Sequence, residues 1–248
     1  MHELKNSTEI VYIKQACRIA GELLIYLSEI TKPGVSTVWL DGKAEEFIMK
    51  KGAIPAFKNY NGFPASICTS VNEEVIHGIP GKYRLKEGDI LSVDVGVKKA
   101  GYFGDAASTI AIGQISDETK KLLKVTQESL YAGIQKAVHR NHVADISKTI
   151  QDLVESSGFS VVRDFVGHGV GKKLHEEPPI PNYKTPGRGP RLLSGMTLAI
   201  EPMVNMSGFE VSIKKDNWTV VTKDGKPSAH FEHTILVNDG EPEILTLV

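Results

Sequence analysis

Two aspartates lie in a stretch whose residue pattern is typical of a β-hairpin. Residues 90–97 and 102–112 are mostly apolar, and the polar segment 98–101 between them is typical of a turn. If 98–101 form the loop, Asp94 lies directly opposite Asp105, with the Cβ atoms about 4.5–5.5 Å apart. Like charges in that position destabilise a strand pair, and a buried carboxylate needs a metal or a basic partner. We therefore expect these two carboxylates to bind a divalent cation.

Two further acids interrupt apolar segments later in the chain. Glu201 lies within the strand-like segment 198–204, and Glu232 lies within the segment 229–237. Either acid alone is more simply explained by an ion pair with Lys or Arg, or by exposure to solvent on a one-sided sheet. Four such acids on matched strands instead indicate one shared metal site.

A histidine in a glycine-rich segment could complete this site. His168 is flanked by Gly167 and Gly169, with Gly171 close behind, so the backbone can approach a ligand closely. Imidazole and carboxylates together suit divalent transition metals. Four acids and one histidine could hold two ions about 3.5–4 Å apart, an arrangement that activates water for hydrolysis. Nitrogen and oxygen ligands without thiolate leave Co, Mn, Fe and Zn open.

The elements that must position these side chains occur in the same order twice. Apolar spacing predicts helices over residues 7–30 and about 36–51, followed by strands at 70–76 and 90–112. In the second part it predicts helices over about 117–139 and 142–157, followed by strands at 160–166, 196–204 and 230–237. Each part therefore places helices before strands.

Direct internal similarity supports a duplication. Residues 85–94 and 192–201 share Leu, Gly, Leu, a β-branched apolar residue and an acid at equivalent places, at a constant offset of 107. Solenoid repeats have a shorter period of about 20–50 residues, so two half-domains packed together explain the match better. Asp94 and Glu201 would then reach one shared site from opposite halves.

These observations predict the architecture of the whole chain. We expect an α+β protein with a single catalytic domain over residues 1–248, divided into pseudo-symmetric half-domains at about 1–113 and 114–248. A pair of Cys-x-x-Cys motifs does not precede the domain, so we expect no N-terminal zinc-finger extension.

Composition narrows the class of protein further. The formal net charge of -1 is unlike the basic surface that dominates nucleic-acid affinity, so we expect no nucleic-acid partner. Apolar runs stay short of the ~18 residues needed to span a bilayer, and no signal-peptide pattern opens the chain, so we expect no membrane association. Cys17 and Cys68 lie in a helix-like and a strand-like stretch, which suits free thiols in a reducing cytoplasm.

The motifs together resemble a known family, the type I methionine aminopeptidases, whose fold is called pita-bread. The matching segments cover nearly the whole chain and are residues 70–80, 93–96 with Asp105, 167–171, 175–178, 200–202 and 231–234. The resemblance implies an antiparallel sheet covered by helices, with a dinuclear metal site between two halves. It also implies that Asp94, Asp105, His168, Glu201 and Glu232 are the ligands of two divalent ions, of which Asp105 and Glu232 bridge both.

The same resemblance implies an activity and its catalytic residues. The enzymes of this family remove the N-terminal methionine from nascent proteins and peptides, preferably when the second residue is small. His77 and His175 would contact the scissile bond, and Glu201 would transfer a proton to the departing amine. The implied partner is a chain beginning with Met, with transient association with the ribosome, and we expect a monomer.

A pocket for the methionine side chain is implied by six further positions. Tyr60, Phe63, Cys68 and Trp218 match the family pattern, and Phe57 and Leu174 occupy two further places of it. Many relatives carry a small or sulfur-containing residue where Phe57 stands and an aromatic residue where Leu174 stands. We therefore expect a pocket of altered shape with the chemistry unchanged.

Two other functions are compatible with this set of ligands. Xaa-Pro-directed relatives, such as prolidase and aminopeptidase P, use a very similar set but usually carry an extra N-terminal domain. The first predicted ligand here is residue 94, which favours the methionine-directed class. A catalytically silent binding module of the same fold would lose ligands, and all five positions are present here.

Overall fold

The computed structural model describes residues 4–248 and shows an α+β architecture. Within that range the helices are α1 (Ser7–Ile30), α2 (Thr37–Lys50), α3 (Asp117–Ile134) and α4 (Val143–Ser156). The strands are β1 (Ile54–Pro55), β2 (Cys68–Val71), β3 (Glu74–Ile76), β4 (Ile90–Lys99), β5 (Tyr102–Ala111), β6 (Ser160–Val161), β7 (Gly167–Gly169), β8 (Glu176–Ile180), β9 (Thr197–Ile200), β10 (Met203–Asn205), β11 (Val211–Ile213), β12 (Val220–Thr222), β13 (Ser228–His230), β14 (Glu232–Leu236) and β15 (Glu243–Ile244). None of the helices in this range is long and apolar enough to cross a membrane.

The ends of the helices follow from local hydrogen bonding. α1 begins where predicted because the Asn6 side chain accepts the backbone N–H of Glu9, and the Glu9 carboxylate accepts the N–H of Asn6. α3 ends at Ile134, short of the predicted residue 139. The backbone N–H groups of residues 136 and 137 there donate to carbonyls three positions earlier, which tightens the last turn and ends the helix.

One antiparallel sheet joins the two halves of the chain. Its central strands run in the order β1-β4-β5-β14-β9-β7-β8, with β2 also paired to β4 and β15 to β14. The strands up to β5 come from the first half and the others from the second. The halves meet where β5 pairs with β14, with Glu232 opposite Ala107 and His233 opposite Ala106.

The register of the β4–β5 hairpin differs from the prediction. The loop is the two-residue segment Ala100-Gly101, so Asp94 faces Ala107 and Asp105 faces Gly96; the predicted direct pairing of the two aspartates was wrong. Both loop residues have positive φ, 51° and 86°, which is the turn geometry that matches the twist of paired strands. A shift by two positions leaves the alternation of side chains unchanged, so both aspartates still point to the same face.

Helices cover the other face of the sheet. Val93 and Val95 on β4 are fully buried in one apolar cluster with residues of α1 and α2, such as Leu23 and Leu40. A second cluster joins α3 and α4 to β9 and β14. α1 can approach β5 closely because position 104 is glycine; a Cβ there would lie 2.4 Å from the backbone nitrogen of Cys17. The valines of β4 thus pack toward the helices, which leaves Asp94 on the other face of the sheet.

Three segments predicted as single strands are broken or shortened. Residues 70–76 form β2 and β3, which are joined through Asn72 at a φ of 53°. Residues 196–204 form β9 and β10, because Pro202 has no N–H to continue the ladder. Residues 160–166 contribute only β6. The break before Pro202 leaves Glu201 just after β9, outside the hydrogen-bonded part of the strand.

The backbone supports the duplication. Gly88 and Gly195, which are equivalent in the internal match, both have a φ of 93° and lie shortly before β4 and β9, respectively. An isolated β-bridge joins Ser36 to Arg84, and an equivalent one joins His142 to Arg191. Each bridge connects the start of a half's second helix to the segment before β4 or β9. The division at residues 113 and 114 stays a prediction.

Candidate active site

A cavity of about 180 Å³ is lined by the side chains for which the sequence predicted catalytic, metal-binding or substrate-binding roles. Its lining consists of Phe57, Tyr60, Asn61, Phe63, Cys68, His77, Asp94, Asp105, His168, Leu174, His175, Glu201, Trp218 and Glu232. Every residue predicted as catalytic, metal-binding or substrate-binding is in this set. The residues selected from the sequence therefore line one cavity, and their individual roles remain predictions.

Five neighbouring strands each supply one of the five predicted ligands. Asp94 lies on β4, Asp105 on β5 and His168 on β7, while Glu232 begins β14 and Glu201 follows β9. These strands are consecutive in the order β4-β5-β14-β9-β7. Neighbouring strands lie about 4.8 Å apart, so side chains on one face can converge across the sheet.

The ligand atoms lie within reach of a common centre. Asp105, His168 and Glu232 each offer one ligand atom, and these atoms lie within 4.8 Å of one another. His168 Nε2 is 3.5 Å from Glu201 Oε1 and 3.8 Å from Asp105 Oδ2. His168 Nδ1 is 2.9 Å from the carbonyl of Gly169, to which it can donate its proton. That bond leaves the lone pair of Nε2 directed at the carboxylates, as in metal-binding histidines.

Burial shifts the pKa values of this cluster strongly. Desolvation raises the pKa of Asp94 to about 7 and that of Glu201 to about 8. Burial, with the nearby carboxylates, raises the pKa of Asp105 and of Glu232 still further above the ordinary range. Burial and the neighbouring His175 lower the pKa of His168 to about 3, so this imidazole is neutral. The cluster is thus an unfavourable place for several negative charges unless a cation is added.

The donor set fits divalent metal ions. Asp94 Oδ1, Asp105 Oδ1 and Glu232 Oε1 are buried and have no hydrogen-bond partner in residues 4–248. In the same range, Asp105 and Glu201 lie within ion-pair distance of histidines, and none of the four carboxylates pairs with Lys or Arg. Unpartnered buried carboxylate oxygens are rare in native proteins and call for an ion. We therefore consider carboxylate oxygens and one imidazole nitrogen as the ligands of a metal centre.

The pKa shifts predict how the stability of metal-free protein depends on pH. Asp94 and Glu201 titrate near 7 and 8 in the folded state but near 4 when unfolded, so the folded state holds more protons in that range. We expect the free energy of unfolding to fall above pH 6.5, by at most about 1.4 kcal/mol per pH unit for each carboxyl. The lowered pKa values of His168 and His77 make the free energy of unfolding rise with pH, but only below about pH 6.5.

Thermal melting between pH 6.5 and 8.5 tests this expectation. In a chelator the melting temperature should fall as the pH rises, and saturating Mn²⁺ should stabilise the protein more at pH 8.5 than at pH 6.5. Glu232→Gln removes one of the carboxyls and should make the decline shallower. A melting temperature of metal-free protein that rises over this range would contradict the assigned cluster.

The rest of the cavity lining is mainly apolar and aromatic. Phe63 and Trp218 make an edge-to-face contact, with ring centroids 5.2 Å apart. Phe57 lies directly against Gly96 of β4, where a Cβ would lie 2.4 Å from its ring. Burial and the nearby Asp94 raise the pKa of the Cys68 thiol, so Cys68 is a neutral wall residue. An uncharged, polarizable wall of this kind suits a flexible apolar side chain.

Two further histidines, His77 and His175, line the same cavity. The ring of His175 is 4.2 Å from that of His168, and its Nδ1 is 2.8 Å from the hydroxyl of Tyr60. His77 has a φ of 58°, a strained backbone conformation that is frequent at functional sites. Burial lowers the pKa of both His77 and His175, to about 4 for His77. Both rings are therefore neutral near pH 7.

Two residues of the site were not identified from the sequence. Asn61 lines the cavity and has a φ of 50°, and the pattern around it indicated only a loop. His230 is buried, with its Nε2 3.7 Å from Glu201 Oε2. Alternation of side chains would have placed His230 on the face of Glu232. His233 lies on the other face, where its Nδ1 is 2.8 Å from Thr246 Oγ1.

Comparison with known proteins identifies the family. Residues 11–239 match the metallopeptidase family M24. A methionine aminopeptidase of Clostridium acetobutylicum is 59% identical over 245 residues, which cover 98% of each chain. The crystal structure of a methionine aminopeptidase from Thermotoga maritima matches all of both chains with a TM-score of 0.98 and 46% identity. The architecture is thus the pita-bread fold, as expected from the sequence.

Another solved structure is a more distant match. The prolidase from Pyrococcus furiosus matches with a TM-score of 0.82 and 21% identity, and this chain covers 65% of that structure. At this identity the likeness concerns the fold alone. The family match itself extends over nearly the whole sequence, and so the chain belongs to metallopeptidase family M24.

Proposed function

We propose that this protein removes the N-terminal methionine from proteins and peptides, preferably when the second residue is small. The observation that supports this most strongly is the composition of the cavity. Carboxylates and imidazoles suited to metal-assisted hydrolysis line it together with aromatic, thiol and leucine side chains suited to methionine. The high identity to a methionine aminopeptidase over 98% of both chains supports the same activity.

We further propose that two divalent ions occupy the carboxylate cluster. Asp94, Asp105, His168, Glu201 and Glu232 would hold them, and their unpartnered oxygens support this assignment. Bound divalent ions supply Lewis acidity, which polarises a carbonyl and makes water a better nucleophile at neutral pH. Co, Mn, Fe and Zn all suit mixed nitrogen and oxygen ligands.

We propose that His175 donates a hydrogen bond to the scissile carbonyl oxygen. The Tyr60 hydroxyl, 2.8 Å from His175 Nδ1, can donate its proton to that nitrogen. Nδ1 is then the acceptor, and the single proton of the neutral ring must be on Nε2. A neutral ring that presents an N–H to the carbonyl stabilises negative charge as it develops on the oxygen. Burial lowers the pKa of His175, which maintains this neutral form.

Glu201 and His77 act on the departing amine. Glu201 lines the same cavity as the other predicted ligands, where a carboxylate can act as a general base toward a water molecule. We propose that it takes a proton from the attacking water and passes it to the leaving nitrogen. We propose that His77, which lines the same cavity, contacts the scissile amide.

The expected partners follow from this substrate. We propose that the substrate is the exposed N-terminus of a nascent chain in the cytoplasm, with transient association with the ribosome, and that the protein acts as a monomer. Two cysteines that are free and buried support a reducing compartment.

Peptide hydrolysis by metal-depleted and reloaded protein tests the proposed activity. We expect chelation to abolish hydrolysis of Met-Ala-Ser and resupply of Mn²⁺ or Co²⁺ to restore it, with free methionine as the product. Ala-Pro-Ser is the matched substrate for the Xaa-Pro-directed alternative, whose metal ligands are very similar. Titration calorimetry with Mn²⁺ should give two ions per chain.

Three outcomes would contradict the proposal in different ways. Release of alanine from Ala-Pro-Ser with Met-Ala-Ser intact would favour the proline-directed class. Binding of Mn²⁺ without hydrolysis of either peptide would favour a silent binding module. Saturation at one ion per chain would refute the dinuclear centre while leaving the activity assignment intact.

A further inference from the structure

A buried ion pair lies next to the cavity without being part of its lining. Lys5 Nζ is 2.5 Å from Glu176 Oε2, and the two side chains are only 4% and 11% exposed. Other Lys–Glu pairs, such as Lys14 with Glu243, are far more exposed, at 42% and 46%. Burying two charges is costly unless their geometry is well defined, so such a pair fixes the segments that carry it.

One partner of this pair closes the loop that carries His175. The loop, residues 170–175, connects β7 to β8 and delivers both Leu174 and His175 into the cavity. Glu176 Oε1 accepts a hydrogen bond of 2.9 Å from the backbone N–H of Lys173, while Oε2 faces Lys5. The Glu176 carboxylate therefore contacts both the backbone of the loop and the N-terminal segment.

The loop is packed against the Lys5 side chain. A Cβ on Gly171 would lie 2.6 Å from Lys5 Cε and 2.9 Å from Glu176 Oε1, so a larger residue there would displace the ends of both side chains. A second ion pair joins the same loop to α1, with Lys172 Nζ 2.6 Å from Glu9 Oε1. The loop is thus attached at two places to the start of the chain.

The other partner is itself firmly placed. The backbone N–H of Lys5 donates to the carbonyl of Gly195 over 2.9 Å, at the turn that precedes β9 and Glu201. The next residue, Asn6, caps α1. Lys5 therefore connects the His175 loop, the turn before β9 and the first helix.

We propose that Lys5 and Glu176 are positioning residues, whose ion pair holds His175 and Leu174 in their working places in the cavity. This inference rests on the proposed role of His175 in peptide hydrolysis. The pair acts through the loop backbone and does not itself touch the substrate. In this proposal the N-terminal segment that precedes α1 also supports the active site.

Steady-state kinetics of Glu176→Gln with Met-Ala-Ser, at saturating Mn²⁺ and well below the melting temperature, is the main test. We expect kcat to fall about 10- to 100-fold, because a displacement of about 1 Å at a catalytic group can cost that much. Lys5→Arg keeps the charge and should retain most of the activity. Glu243→Gln breaks the exposed pair with Lys14 and should leave kcat unchanged.

A double-mutant cycle separates positioning from general stabilisation. If Glu176 acts through His175, adding Glu176→Gln to His175→Ala should cause little further loss of kcat. A full additional loss in that background, or a lowered melting temperature with kcat unchanged in Glu176→Gln, would overturn the inference. If His175→Ala alone kept full activity, the proposed role of His175 would fail instead.

Limited proteolysis gives a readout that does not depend on activity. Lys172 and Lys173 lie in the loop, so trypsin should cut after them faster in Glu176→Gln than in the wild type or in Glu243→Gln, as followed by mass spectrometry. Lys5→Met with Glu176→Met removes both charges and leaves no unpaired buried ion, in case the single variant folds poorly. An unchanged rate of cleavage and an unchanged kcat in this double variant would refute the proposal.

Discussion

Replacing Asp105 or Glu232 with alanine should abolish metal-dependent hydrolysis of Met-Ala-Ser, with a loss of about 1,000-fold or more in kcat/KM. Both carboxylates are almost completely buried, at 3% and 2% exposure, and each has an oxygen without a hydrogen-bond partner in residues 4–248. Their ligand atoms share one centre with His168. Removing either should prevent the ions from being held where they can activate water. Titration calorimetry with Mn²⁺ should show a matching loss of bound metal.

His233→Ala is the matched control for Glu232→Ala. His233 is the next residue on the same strand, but its ring is on the opposite face, near Thr246 and Tyr131. We expect this variant to retain most of its turnover and its Mn²⁺ binding, although the melting temperature should fall. Comparable losses of activity in the Asp105, Glu232 and His233 variants would mean that the site is assigned wrongly.

Replacing His175 with alanine should lower kcat about 100- to 1,000-fold, with a much smaller effect on KM. The proposed hydrogen bond from Nε2 forms chiefly as negative charge develops on the carbonyl oxygen, so its loss should affect the rate of reaction more than binding. Mn²⁺ affinity should stay within a few-fold of the wild type, because His175 is outside the ligand set. Metal titration and steady-state kinetics on the same preparation distinguish the two effects.

Tyr60→Phe tests the orientation of the His175 ring separately. The variant keeps the aromatic wall but removes the hydroxyl 2.8 Å from His175 Nδ1. We expect a loss of about 10-fold in kcat, because the ring is no longer restricted to one tautomer and one orientation. Wild-type kcat in Tyr60→Phe would show that this hydrogen bond does not set the tautomer that catalysis requires.

The chemistry of the cavity could be predicted from the sequence because the unusual residues are local signals. An acid in an apolar strand, such as Asp94 or Glu232, is conspicuous without any knowledge of the fold. Strand alternation then fixes which face it occupies. The long helix Ser7–Ile30 was predicted correctly because its apolar spacing and its capping residues agree.

Features that depend on turn geometry or on distant contacts could not be predicted in the same way. The hairpin loop was assigned to residues 98–101, although Ala100-Gly101 alone forms it, since alanine at positive φ is unusual. The pairing of Lys5 with Glu176 joins residues 171 positions apart, and no local pattern reveals it. Asn61 lines the cavity from a short turn, Tyr60–Gly62, that no pattern in the sequence connects to the site.

The pairing of β5 with β14 links metal binding to the stability of the protein. Asp105 and Glu232 come from different halves of the chain, and they flank the point where the two halves pair. Any ion that binds them with preference for the native state also stabilises that joint, by about 1.4 kcal/mol for each tenfold excess over its dissociation constant. Scarcity of metal in the cell would then shorten the life of the protein against proteases as well as slow its turnover.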